Sequence, residues 1–209
     1  SFSKKATGHG KWKTACFTSK ALSSRGSTMR SGFAKALAGL TACASALTVV
    51  SAAAMPVLNV NDPQHRVGPA DIPCVIRAAM RQGVPANVLL ALASVEGGKN
   101  GQFVRNTNGT DDLGHFQINT MHFDTQSGVF RHVSKTDAAW RGCYNAELAA
   151  WFLRQRLDAP GNHDYWVRVA TYHSATAQYN TIYRRKLVPL AARWGRWLQA
   201  NYSTQVSYN

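Results

Sequence analysis

Residues 85–119 read PANVLLALASVEGGKNGQFVRNTNGTDDLGHFQIN, and the change of pattern within them decides the fold. The first dozen residues have a helical period. Val88, Leu89, Leu92 and Val95 form an apolar stripe, Pro85 suits the first helical position, and Gly97-Gly98 close the helix as a C-terminal cap does. Then the period is lost. Asn108-Gly109 lies between the short runs FVRNT and TDDLG, a hairpin signal, because a tight turn needs residues that tolerate positive φ. Glu96 stands where the two patterns meet, on the face of Leu89 and Leu92. A carboxylate there is disfavoured by apolar neighbours, by the negative end of the helix dipole and by the lack of a basic residue one turn back, at Leu92 or Ala93. All three raise its proton affinity, as a general acid for glycosidic cleavage requires. The spacing alone equally accommodates a helix-end Glu leaning into solvent.

Working outward, Ile72, Val75, Ile76 and Ala79-Met80 recur at three and four, which predicts a helix from Asp71 that Gly83 stops. Downstream, helical stretches are predicted over 146–157, 165–175 and 178–201. In the last, Tyr179, Ile182, Tyr183, Leu187, Leu190, Trp194, Trp197 and Leu198 form the expected buried stripe, and Pro189 is expected to kink it. Residues 55–69 read as a loose arm and 202–209 as a tail. The sum is a mostly α (α+β) domain over 70–201, with one small β excursion after its second helix.

The chain carries 24 Lys/Arg, 10 Asp/Glu and a net charge of +14, which suggests a nucleic-acid or membrane-surface binder until its distribution is read. Residues 1–54 hold eight of the basic residues and no acid; the remainder sets sixteen against ten, a net +6. That modest excess comes with no nucleic-acid recognition motif and suits an anionic wall. Residues 29–54 read as a signal peptide: Met29-Arg30 and Lys35, then the apolar run ALAGLTACASALTVV, then the small residues of Ser51-Ala52-Ala53-Ala54. Cleavage near Ala54/Met55 is the expectation; a retained anchor, or lipidation at Cys43 within Leu40-Thr41-Ala42-Cys43, are the alternatives. Residues 1–28 are basic, Ser/Gly-rich and without apolar period, and are set aside as a leader upstream of a start at Met29. Export would leave Cys74 and Cys143 as a pair, read as a disulfide in an oxidising compartment or as two buried thiols. None of the seven histidines falls in a metal-binding motif, and neither metal nor cofactor is expected.

Taken together, Glu96, the NTNGT turn, Asp112-Leu113-Gly114 and Phe116-Gln117-Ile118-Asn119 resemble the active-site stretch of the lysozyme superfamily. The order is similar to animal c-type lysozymes and more so to bacterial lytic transglycosylases of conjugation and type III and type IV secretion systems. Cys74 with Cys143-Tyr144-Asn145, and Tyr172-His173-Ser174 followed by Asn180-x-x-Tyr183, resemble the same subgroup. The resemblance covers roughly residues 70–190 and implies a lysozyme-like fold with a helix opening at the Gly-x-x-Gln-Ile segment. It implies that Glu96 is acid and then base, and that Gly114, Phe116, Gln117, Asn119, Tyr172 and His173 bind the sugar, with Tyr172 bonding toward Glu96 or the substrate. Two departures matter. His115-Phe116 stand in place of Leu-Met, implying a changed cleft, and Gly97-Gly98-Lys99 stand in place of Ser-x-Phe, implying a looser loop after the acid.

Asp112 divides the chemistry. A retaining hydrolase needs this second carboxylate close by, whereas a transglycosylase uses the muramic acid's own 6-hydroxyl and closes a 1,6-anhydro ring. The resemblance favours a periplasmic lytic transglycosylase that opens peptidoglycan for a conjugation or secretion apparatus. A lysozyme-type hydrolase using Asp112 and a non-catalytic wall-binding subunit are the alternatives.

Overall fold

A computed structural model describes residues 54–161 and 163–202, all within the compact unit Val49–Asn209. The expected signal peptide with Met29 and Cys43, apart from Ala54, and tail residues 203–209 lie outside the described residues. Among the described residues, six α-helices and a small sheet are formed: α1 (Ile72–Gln82), α2 (Ala86–Glu96), β1 (Phe103–Arg105), β2 (Asp111–Leu113), β3 (Ile118–Asn119), α3 (Lys135–Trp140), α4 (Gly142–Asp158), α5 (Tyr165–Ala170) and α6 (Ala177–Asn201). The architecture is mostly helical with one antiparallel β excursion, as predicted. No described helix is long and apolar enough to cross a membrane.

The ends of α1 follow from side-chain chemistry. Asp71 Oδ1 accepts the Cys74 N–H at 2.7 Å, and Gly83, at φ 61°, closes the helix in the left-handed conformation. Pro85 precedes α2 as its cap residue, one place earlier than expected. Val88 to Leu92 are all buried because α2 packs against both α1 and α6. Met80, expected on the α1 stripe, is 74 % exposed, and Ala78 and Gln82 face inward instead. α4 begins at Gly142, four residues before its expected start, and is buried nearly all round against α1, α3 and α5. A Cβ at Gly142 would lie 2.2 Å from the Ala70 nitrogen, so only glycine lets the incoming chain cross the start of this helix. Cys74 and Cys143 are joined in a disulfide with their Cα atoms 5.6 Å apart. Closing a loop of 69 residues constrains the unfolded chain by roughly 4 kcal/mol on the chain-entropy model.

Four expectations need correction. The segment expected as a loose arm is packed: it forms a 3-10 turn at Pro63–His65, and buried His65 meets Glu147 of α4, Nε2 to Oε2, at 3.0 Å. α3 was not foreseen, since six residues show too little periodicity; Ser134 caps it by accepting the Asp137 N–H. α5 stops at Ala170, so Tyr172-His173-Ser174 lie in a turn rather than a helix. On α6 the buried stripe is Asn180, Tyr183, Leu187 and Ala191, while Tyr179, Ile182 and Trp197 are exposed. An apolar and aromatic stripe reads as core in sequence, but only part of α6 has a partner to bury it.

Candidate active site

Glu96 is the last residue of α2, and the chain turns sharply after it. Gly97 takes φ 62° and donates to the Ala93 carbonyl at 3.0 Å. A Cβ on Gly98 would lie 2.0 Å from the Gly114 carbonyl oxygen and 2.5 Å from Gln117 Nε2. Gly98 therefore lets the loop press onto the turn between β2 and β3, where the expectation for this departure from the family pattern was a looser loop.

The turn between β2 and β3 is held from beneath by Asn145, fully buried in α4. Its Oδ1 accepts the Phe116 N–H at 2.9 Å, and its Nδ2 donates to the Leu113 carbonyl at 3.2 Å. Gly114, at φ 66°, packs directly on the Asn145 amide; a Cβ there would meet it at 3.0 Å. Phe116 points into the core with no exposure, and its carbonyl accepts from the Tyr172 hydroxyl. Gln117 holds φ 48°, which costs of order 1–3 kcal/mol outside glycine, and its Nε2 donates to the Gly114 carbonyl at 2.8 Å. The segment leads into a two-residue strand and a 3-10 turn at Thr120–Phe123, not the expected helix, because Asn119 caps that turn through the Met121 N–H.

Asp112 lies on β2, register-paired with Asn119, whose Nδ2 donates to Asp112 Oδ1 at 2.7 Å. Tyr172 does not reach Glu96: its hydroxyl donates to the Phe116 carbonyl at 3.0 Å, and burial raises its pKa well above the usual tyrosine value. Tyr183 makes the bond to the acid, donating to Glu96 Oε1 at 2.5 Å. His173 stacks flat on Tyr183, with centroids 4.7 Å apart; partial desolvation holds its pKa below the ordinary histidine value. The Glu96 carboxyl is raised to about 7, chiefly by burial and also by the charge of Asp112, while the Tyr183 hydrogen bond opposes the shift. Because Tyr183 donates to Oε1, the proton that Glu96 carries sits on Oε2. A transglycosylase SLT domain family model matches residues 73–186, more than half of the chain. The chain belongs to that family. No curated protein sequence matches it.

Membership makes this a transglycosylase SLT domain of lysozyme-like fold and supports lytic transglycosylase activity on peptidoglycan. The SLT cleft has a volume of about 420 Å³ and brings together Glu96, Asp112, Gln117, Asn119, Tyr172 and His173. Gly114 and Phe116 support its floor from behind. The Asn106–Asn108 turn, His122 and Phe152 also line it. The sequence marked that turn but assigned it no contact, and gave His122 no role. Tyr183 was visible in the Asn180-x-x-Tyr183 spacing, but its place on an apolar stripe read as core. Asn145 was visible beside Cys143 and Tyr144, but nothing in its spacing pointed to the β2–β3 turn that it holds. Among the described residues, the one grouping of His, Cys, Asp and Glu atoms close enough to share an ion is Asp71, Cys74 and Cys143, and both its sulfurs are committed to the disulfide.

Proposed function

We propose that the chain is an exported, periplasmic lytic transglycosylase that cleaves the MurNAc–GlcNAc β-1,4 bond with a 1,6-anhydro product, with Glu96 as acid and then base. The observation that carries this reading is a carboxyl with its pKa raised to about 7, lying in the floor of the cleft with one oxygen held by Tyr183. The Oε2 proton passes to the bridging oxygen as the C1–O bond breaks, leaving a GlcNAc 4-hydroxyl and an oxocarbenium-like muramyl C1. The Glu96 carboxylate then takes the proton of the muramyl 6-hydroxyl as that oxygen attacks C1, closing the anhydro ring and restoring the acid. No water is consumed. Asp112, held by Asn119, contributes negative charge beside the developing cation and raises the proton affinity of Glu96.

Local wall opening for a conjugation or secretion apparatus remains part of this reading, supported by the Cys74/Cys143 pair and the Tyr172-His173-Ser174 motif. Mass analysis of fragments released from purified sacculi tests the chemistry. The expected products end in 1,6-anhydro-muramic acid, and Asp112→Asn should keep activity within roughly tenfold. Ordinary reducing ends, with a far larger loss in Asp112→Asn, would make the domain a hydrolase with Asp112 as nucleophile or stabiliser. Binding without release of any fragment would leave a non-catalytic wall-binding subunit.

A further inference from the structure

Beyond residue 54 the chain sets sixteen basic residues against ten acidic ones, and five of the sixteen but none of the ten stand on α6. Of the five, Arg184 is engaged, donating to Asn180 Oδ1 at 3.0 Å and to Thr181 Oγ1 at 3.1 Å. Arg185, Lys186, Arg193 and Arg196 are exposed and take no part in a side-chain hydrogen bond or ion pair among the described residues. At 3.6 residues per turn these four fall within an arc of about 100°. The helices that α6 packs on, α2 and α5, add a single acid, Glu96, which Tyr183 engages from the buried stripe. An aromatic cluster lies at the C-terminal end of the same helix. Trp194 Nε1 donates to Ser94 Oγ of α2 at 2.9 Å, which fixes the first ring. Trp197 meets it edge-on, with centroids 5.4 Å apart, and the Tyr202 ring follows 5.8 Å from Trp197. Trp197 is 36 % and Tyr202 42 % exposed.

Unpaired cations flanked by tryptophan and tyrosine fit the surface of an anionic bilayer. The cations pair with lipid phosphates, and the indole and phenol rings take the boundary between headgroups and acyl chains. The exposed face of one helix is a ridge, which suits a flat surface better than a nucleic-acid strand that has to be tracked along a charged groove. The apolar stripe through Tyr183, Leu187 and Ala191 is committed to the core, so the helix lies on the bilayer rather than sinking into it. We propose that the outer face of α6 docks the domain on an anionic phospholipid bilayer, with Arg185, Arg193 and Arg196 on headgroup phosphates and Trp197 and Tyr202 at the boundary. The docking does not depend on the chemistry of Glu96. Its consequence for a wall-cleaving domain is that the cleft is held beside the membrane and works on the wall nearest to it.

The test reads Trp197 itself, as the difference in fluorescence between the full chain and its Trp197→Phe variant, so attachment through any other segment does not imitate the result. The probes are vesicles of phosphatidylcholine with brominated acyl chains, alone and in an equimolar mixture with phosphatidylglycerol. The anionic vesicles should quench Trp197, the neutral ones should not, and high salt should abolish the quenching in the unaltered protein. Each cation near an anionic surface contributes about fivefold to affinity, so Arg185→Gln/Arg193→Gln/Arg196→Gln should weaken the anionic titration by about 100-fold. All three side chains are exposed, and a melting curve matching the parent's would show that the fold is kept. Trp197 left unquenched by anionic vesicles, or quenched equally by neutral ones, would overturn the docking. Salt-sensitive binding to a single-stranded oligonucleotide or to purified sacculi, without quenching by anionic vesicles, would overturn it too and assign the face to that polymer.

Discussion

Glu147 on α4 and Glu96 at the end of α2 are both withdrawn from water, yet their surroundings are opposite. Glu147 has both oxygens engaged: Arg81 donates to Oε1 and His65 Nε2 to Oε2. Asn59 donates its N–H to His65 Nδ1 at 2.9 Å, which leaves the ring proton on Nε2, facing Glu147. Arg81 also lies 3.6 Å from Asp62, so the network ties the segment before α1 to the back of the domain. Glu96 has a neutral phenol on one oxygen and no ion pair among the described residues; burial and the like charge of Asp112 both raise its pKa. A carboxylate given partners becomes a strut. One denied them keeps its proton to near neutral pH and can give it away.

The comparison breaks most visibly if the two residues are removed in turn. Glu96→Gln keeps the shape and the Tyr183 contact but holds no transferable proton, so wall lysis should fall by at least 10²–10⁴-fold, measured by turbidity loss of purified sacculi. Glu147→Ala should do the reverse. Stripping a buried carboxylate from Arg81 and His65 should cost about 2–4 kcal/mol, reduced from the usual range because Arg81 is half exposed. Chemical denaturation measures that loss, and the initial rate of the folded fraction should stay near wild type.

A smaller effect sharpens the contrast. Glu96 binds its proton more tightly in the fold, at about 7, than in the unfolded chain, near 4.5. Its neutral form is fully accommodated below pH 4.5; stability is lost as pH rises from there through 7, where the folded protein must also ionise it. Glu96→Gln removes that penalty and should raise stability by about 1–3 kcal/mol at pH 8 and by almost nothing at pH 4, as melting curves at the two values would show. The smallest change is Tyr183→Phe. The phenol favours the ionised carboxyl, so its loss should move the alkaline limb of the pH–rate profile to higher pH; a shift to lower pH would mean that Tyr183 does not lower the Glu96 pKa.

Much of this was legible before the coordinates. The loss of helical period after Glu96, the Asn108-Gly109 turn and the positions of Cys74 and Cys143 are local or pairwise signals, and the architecture follows from them. The partners of each carboxylate were not. Tyr183 is 87 residues from Glu96 and His65 is 82 from Glu147, and neither spacing leaves a trace in a periodic pattern. Tyr172 was the nearer guess by motif, yet α5 ends at Ala170 and delivers that hydroxyl to the Phe116 carbonyl. The exposed aromatics of α6 misled for a related reason: apolar period predicts which residues share a face, but not how much of that face another element covers.

The central claim is that burial without an ion-pair partner keeps Glu96 protonated near neutrality. Carbon-13 NMR titration of the Glu96 side-chain carboxyl, assigned by its loss in Glu96→Gln, tests this directly. The account predicts a midpoint of about 7 in the folded protein; a midpoint near the ordinary 4.5 would contradict it.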